Sequence, residues 1–441
     1  MSIAVIGAGP HGLSALKALL QNGIDAEGFE RAGDVGGNWN YGAPTSRVYR
    51  STHLISSKPF TQFPDFPMPD SYPDYPSHVQ VKEYLTSYAR HFGLVDRIHF
   101  DAEVVSVAPV GDGATWRVTV RNPANGDLSS TEHDGVVIAN GHNWSAKIPR
   151  YPGQDSFGGR IIHSADYKDA DVLRGKRVLV VGAGNTGCDV AVESAQNATR
   201  TWHSTRRGYY YNPKYLMGRP SDQTADLLLA LRIPLALRRQ MFKASLRFAV
   251  GDFTKFGLKK PDHRFFETHP IVNQQLVYYV GQGDITPVDD IATFDKEGVV
   301  FTDGSRADVD LVVFCTGYLV TFPFLDDAAL HLDWHNGHPR LALHLFTTKH
   351  RNLFVSGLIQ PDSGQWTLAH WQGILIARYL EAREQRPAVA ERLYADATGQ
   401  AGRRYSAGTT YKDSSRHYYE VAHQDYLQSL QDAINALEVP A

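Results

Sequence analysis

Two short runs in the chain have the composition and spacing to hold phosphate. Gly7-Ala-Gly-Pro-His-Gly12 follows an apolar run at residues 3–6 and leads into the helical pattern Leu13-Ser-Ala-Leu-Lys-Ala-Leu-Leu20. Gly182-Ala-Gly-Asn-Thr-Gly187 follows Lys176-Arg-Val-Leu-Val-Val and leads into Cys188-Asp-Val-Ala-Val-Glu-Ser-Ala195. In a strand, turn, helix context each glycine has a task. Gly7 and Gly182 permit the tight turn, Gly9 and Gly184 let backbone approach a pyrophosphate, and Gly12 and Gly187 let helix and strand pack closely. Pro10, His11, Asn185 and Thr186 complete the runs, where unpaired N–H groups and the positive end of a helix dipole face the phosphates. Two such cradles in one chain point to electron transfer between two bound dinucleotides.

The two cradles lead to strands with different ends. The strand at residues 26–29 ends in Glu30, 18 residues after Gly12. A carboxylate there accepts hydrogen bonds from ribose hydroxyls and repels a 2′-phosphate, so the first site suits FAD or NAD. The loop Arg31-Ala-Gly-Asp-Val-Gly-Gly-Asn-Trp39 adds a second glycine turn and an aromatic ring. With Arg31, Gly37, Asn38 and Trp39 placed along the ligand, FAD is favoured. The strand at 201–204 ends instead in Thr205-Arg206-Arg207. Arginine meets a 2′-phosphate bidentately, so the second site is expected to hold NADPH through Arg206 and Arg207. The alternative is that both are solvated turn residues, which would make NADH a competitive donor.

Composition narrows the class. The 441 residues suffice for two or three domains, and 42% hydrophobic with 21% charged residues is ordinary for a globular protein. A formal charge of -3 gives no reason to expect nucleic acid. No run approaches the roughly 18 apolar residues of a membrane span, and the chain opens directly on a strand, so a cytoplasmic protein is expected. Cys188 and Cys315 form no CxxC pair. His331, His335, His338, His344 and His350 have spacings that fit no usual ligand pattern, so no metal is expected.

Between the cradles lies Phe157-Gly-Gly-Arg-Ile-Ile-His-Ser-Ala-Asp-Tyr167. With Phe157, Gly159, His163 and Tyr167 in register, it resembles the fingerprint F-x-G-x-x-x-H-x-x-x-Y/F of the flavin-containing monooxygenases. Baeyer–Villiger monooxygenases have tryptophan at the last position. Further matches run through nearly the whole chain: Ser56-Ser-Lys58, Asp65-Phe-Pro67, Tyr84-Leu-x-x-Tyr-Ala-x-His-Phe92, Ile138-Ala-Asn-Gly-His142, Cys315-Thr-Gly-Tyr318 and Gly357-Leu-Ile-Gln-Pro361. The chain looks like a soluble, bacterial-type member.

The resemblance implies a cycle in which NADPH reduces FAD, dioxygen adds to give a flavin hydroperoxide, and one oxygen passes to a small amine or sulfide. The cofactor supplies the bond chemistry, and the protein orients it and excludes water. Ile55, Ser56 and Tyr167 are expected near the reacting centre. The family usually has an asparagine where Lys58-based alignment puts Ile55. Isoleucine donates no hydrogen bond, which leaves open Baeyer–Villiger oxygenation of ketones or an NADPH oxidase that releases hydrogen peroxide.

The architecture implied is α/β, with two doubly wound, Rossmann-like dinucleotide-binding domains. An FAD-binding part spans 1–165, an NADP-binding domain 166–310, and the return of the FAD domain with C-terminal helices 311–441. The strand at 309–314 is expected to start that return. The fingerprint would lie in the passage between domains, with His163 bridging them. Residues 208–265 fit neither nucleotide pattern. They read as basic amphipathic helices split at Pro234, roofing the active site or touching a membrane or partner. A homodimer is one admissible assembly.

Overall fold

The computed structural model describes residues 1–111, 113–216, 218–412 and 417–438. The chain divides into two compact units. The first comprises Met1–Ser46, Ser56–Trp144 and Val320–Ala441, and the second Arg47–Ile55 and Ser145–Leu319.

In the first unit a parallel five-stranded sheet runs in the order Leu353–Val355, Gly135–Ile138, Ser2–Ile6, Asp25–Phe29, Ile98–His99. Its central strands are continuous apolar runs because both faces are covered. On one side Pro10–Gln21 packs against the long helix Trp366–Gln385, which also meets His423–Glu438. On another, Val107, Trp116 and Val118 of an antiparallel three-stranded sheet join Ala4, Ile6, Val136 and Ile138 in one core.

The second unit repeats the plan. Its parallel sheet runs Ile285–Val288, Arg200–Ser204, Arg177–Val181, Leu311–Phe314, Arg160–His163. Asn185–Asn197 covers it, and an antiparallel sheet of Ile291–Phe294, Gly298–Phe301 and Arg306–Asp308 stands beside it.

These pairings move the expected boundaries. The second unit begins at Ser145 rather than 166 and ends at Leu319 rather than 310. The strand expected to start the chain's return pairs instead with Arg177–Val181, Leu311 through Phe314 being wholly buried. An all-apolar strand is stable only inside a covered parallel sheet, and this is the sheet whose open position it fills. Arg160–His163 pairs on its far side, so the fingerprint lies within the second unit and is no linker. The second unit also claims Arg47–Ile55, which no sequence pattern announced.

Within 208–265 the structure has helices Ser221–Ala230 and Leu235–Ala249. Pro234 sits immediately before the second, where its fixed φ and missing N–H are tolerated. Among the described residues no helix is long and apolar enough to cross a membrane.

Candidate functional site

The first cradle is shaped by what its glycines lack. Gly7 has φ +104°, and a Cβ there would meet the Ala139 carbonyl oxygen at 2.6 Å. A Cβ on Gly12 would stand 1.8 Å from the Gly7 carbonyl oxygen. Gly9 is different: its nearest neighbour would be Gly37 Cα at 3.7 Å, so the turn keeps an open face bounded by the second glycine loop. The helix Pro10–Gln21 starts there with Pro10 at its first position and no side-chain cap, leaving its N-terminal N–H groups for a ligand.

Glu30 closes this cradle from the end of the neighbouring strand. One carboxylate oxygen accepts the Ala8 N–H at 2.7 Å and the other the Ala32 N–H at 2.9 Å. Burial raises its pKa above the usual carboxylate range while those N–H groups oppose the rise. Trp39 is half-buried, edge-on to Trp366 at 6.4 Å. The Asn38 carbonyl accepts from the Ser46 hydroxyl at 2.8 Å. Arg31 turns away to solvent and pairs with Glu103 at 3.3 Å.

His11 does not face outward as a ligand-binding side chain would. Its Nδ1 lies 3.2 Å from the Ser356 hydroxyl, and its ring lies against Gly357, where a Cβ would come within 2.8 Å. The Ser356 hydroxyl donates to Gln372 Oε1 at 3.0 Å, and Gln372 Nε2 donates to the Tyr426 hydroxyl at 2.7 Å. His142 Nδ1 is 3.2 Å from the Gly357 carbonyl. Burial lowers the pKa of His11 to about 3 and that of His142 to about 4, so both are neutral. The first cradle is thus tied to Ser356 and Gly357 by two neutral histidines, His11 within the glycine run and His142 beyond it.

The second cradle has the same skeleton. Gly182 has φ +117° and would meet the Cys315 carbonyl at 2.3 Å, and Gly187 would meet the Gly182 carbonyl at 1.9 Å. Gly184, in extended conformation, precedes the helix Asn185–Asn197, which has no side-chain cap. Thr186 lies half-buried in its first turn. The Asn185 side chain is engaged elsewhere, donating to the Pro270 carbonyl at 3.2 Å and accepting the Val272 N–H at 2.8 Å. His203, unforeseen, sits 2.9 Å from the Gly182 carbonyl through Nε2 and is held neutral by burial.

Where the first cradle has one carboxylate, the second gathers cations. Arg206 is exposed, and Arg207 is half-buried, 3.9 Å from Asp262. Lys259 donates to the Thr205 carbonyl at 2.7 Å and pairs with Asp289 at 2.7 Å. It reaches them because Gly208 bridges to Pro261, an approach that a Cβ, 2.1 Å from the Lys260 carbonyl oxygen, would block. Lys259 lies more than 50 residues from the strand end it joins, so no local pattern marks it.

The three residues expected at the reacting centre have different surroundings. Tyr167 is fully buried and its hydroxyl donates to the carboxylate of Glu193. It cannot touch substrate. The Ser51 hydroxyl donates to the same carboxylate, the Tyr49 hydroxyl donates to Asp189 at 2.6 Å, and the Tyr49 ring meets Tyr167 edge-on at 5.7 Å. Asp189 and Glu193, four residues apart on one face of the cradle helix, thereby staple Arg47–Ile55 to the second unit. Ile55 ends that segment with its side chain exposed, and Ser56 begins the next segment of the first unit, 2.7 Å from the Thr61 hydroxyl. The rest of the fingerprint is equally structural. Phe157 packs edge-on to Phe294 at 5.4 Å, Gly159 leaves room for the Asp310 carbonyl, and His163 Nδ1 accepts the Ala165 N–H at 3.0 Å. His163 bonds within its own unit rather than bridging two.

A family model described as flavin-binding monooxygenase-like matches residues 1–439. The chain is 34% identical over 455 residues to flavin-containing monooxygenase 5 of Mus musculus, covering 98% of this chain and 82% of the mouse protein. The rabbit (Oryctolagus cuniculus) counterpart is 37% identical over 74% of this chain and 63% of its own length. Among solved structures, S-allyl-L-cysteine S-oxygenase from Allium sativum superposes with a TM-score of 0.69 at 21% identity, covering 98% of this chain and 88% of that one. Cyclohexanone monooxygenase in its open form superposes with 0.71 at 20% identity, covering 99% and 96%. At these identities the two structures share the fold with this chain and decide nothing about its substrate.

Proposed function

The chain belongs to the flavin-binding monooxygenase-like family, an FAD- and NADPH-using monooxygenase by that membership, and from this premise we propose that it transfers one oxygen atom to a nitrogen or sulfur nucleophile of a small molecule. The observation that carries the assignment of cofactors to sites is the charge contrast between two cradles of one design. Glu30 suits the ribose hydroxyls of FAD, while Arg206, Arg207 and Lys259 suit a 2′-phosphate.

When bound, the flavin supplies the redox and oxygen-activating chemistry. The chain's own residues hold and orient. Gly7, Gly9 and Gly12 admit a pyrophosphate against the start of Pro10–Gln21, and Glu30, fixed by two N–H groups, accepts from ribose. Gly182, Gly184 and Gly187 do the same for the nicotinamide cofactor. Tyr167, Ser51 and Tyr49 act as positioning residues through Glu193 and Asp189, fixing the segment that ends in Ile55. Ile55 has no donor to offer the reacting oxygen, so any stabilising hydrogen bond must come from backbone or another group.

The reading of nitrogen and sulfur nucleophiles is supported by the fingerprint that ends in Tyr167. The test supplies the FAD-loaded enzyme with NADPH, dioxygen and, in turn, a thioether, a tertiary amine and a cyclic ketone, with hydrogen peroxide measured beside product. Sulfoxide or N-oxide accounting for most of the NADPH consumed is expected. Lactone from the ketone alone would transfer the assignment to Baeyer–Villiger chemistry, and peroxide equal to NADPH with every substrate would make the enzyme an oxidase.

A further inference from the structure

The helix Leu235–Ala249 is anchored on one side and apolar on the other. On the inner side Leu246 is buried, Phe242 stacks on Phe265 at 5.5 Å, and Arg239 donates to the Phe265 carbonyl at 3.0 Å and pairs with Glu267 at 3.3 Å. Leu237, Met241, Ala244 and Phe248 recur at i, i+4, i+7 and i+11, which puts them in one row on the opposite side. All are exposed, Phe248 to 90%, and Leu231 at the preceding corner to 61%. Single exposed apolar residues need no explanation, but an aligned row with a nearly naked phenylalanine does.

The charge beside the row says what it faces. The helix has Arg238, Arg239, Lys243 and Arg247 and no acidic residue. Arg238 and Arg239 belong to the anchored side, against Phe266 and Glu267. Lys243 and Arg247, four residues apart, run along one side of the helix between the anchored side and the apolar row and are exposed, and among the described residues neither is in a salt bridge. Asp252 is the acid that feels Arg247.

We propose that this face docks on an anionic lipid surface, with Leu237, Met241 and Phe248 entering the boundary between headgroups and acyl chains and Lys243 and Arg247 meeting headgroup phosphates. A second copy seated on the same face would bring like charges together, whereas an anionic bilayer satisfies the apolar row and the cations at once. Lying in the interface requires no spanning helix, in keeping with the helices described.

The test is co-sedimentation of the FAD-loaded full chain with phosphatidylcholine vesicles, with and without phosphatidylglycerol. Binding to the phosphatidylglycerol vesicles is expected, weakened by salt. Phe248→Glu, and separately Lys243→Glu with Arg247→Glu, should each weaken it roughly tenfold or more, the scale expected of two cations near an anionic surface. Substrate-free NADPH oxidation should be unchanged in both variants. Absence of vesicle binding, equal binding to neutral vesicles, or retention of binding by Phe248→Glu would overturn the proposal. So would a dimer in sedimentation that Phe248→Glu abolishes, which would give the face to a second copy. A higher substrate KM in Phe248→Glu with vesicle binding intact would make the helix a roof over the substrate instead.

Discussion

In the first unit, the strand that follows the cradle helix ends in a single buried carboxylate gripped by the Ala8 and Ala32 N–H groups. In the second, the corresponding strand ends among Arg206, Arg207 and Lys259, the last reaching in from a distant segment. The glycines of the two cradles are nearly superimposable in function: each third glycine lies so close to the first that a methyl group would sit under 2 Å from a carbonyl oxygen. Steric demand is therefore shared and charge is not. On the proposed reading the glycines make a dinucleotide site, and the groups at the next strand's end decide which dinucleotide enters.

The largest expected effect tests the shared part. Gly12→Ala should leave the protein unable to retain FAD, whereas Gly187→Ala should keep FAD and lose binding of NADPH, read by flavin absorbance and by titration with NADP⁺. If Gly187→Ala loses flavin and Gly12→Ala does not, the cradles are assigned the wrong way round. Next in size, Glu30→Ala removes the carboxylate proposed to accept from the ribose, a charge-assisted contact worth about 1.5–3 kcal/mol, and should weaken FAD at least tenfold with NADPH untouched. Smaller again, Tyr167→Phe leaves Glu193 with one partner fewer and should cost about 1–3 kcal/mol of thermal or denaturant stability in the second unit. A variant that keeps its stability and loses oxygen transfer outright would show that Tyr167 does chemistry its burial denies.

A further effect depends on pH. His11 and His142 are held neutral by burial, with pKa values of about 3 and about 4, below the ordinary value of 6.5. Because the unfolded chain takes up these protons first, stability is full above about pH 6.5 and drains as pH falls towards 4. Thermal midpoints measured from about pH 7 to about pH 5 should decline, and His11→Asn should flatten the decline. An unchanged slope would place the titrating groups elsewhere.

Much of this was legible in the sequence because it was local. Each cradle is six residues between a strand and a helix, and Glu30 and Arg206 lie at strand ends whose positions the pattern dictates. What escaped was set by pairing over long distances. The strand at 311–314 reads as apolar whichever sheet it joins, and only its partners, Arg177–Val181 and Arg160–His163, put it in the second unit. Tyr167 is placed near the reacting centre by the resemblance of its fingerprint alone. Only the carboxylate of Glu193, on a helix already named, reveals it as a staple. Lys259 and His203 bear on the second cradle through a backbone carbonyl each, and no spacing rule points to such contacts.

The most direct test of the charge contrast is the ratio of kcat/KM for NADPH to that for NADH in an Arg206→Ala, Arg207→Ala, Lys259→Ala triple variant. If these cations hold the 2′-phosphate, the NADPH value falls about 100-fold or more, the order expected for losing several charge-assisted contacts, while the NADH value and the FAD content stay as they were. Equal loss with both donors, or loss of flavin, would contradict the account.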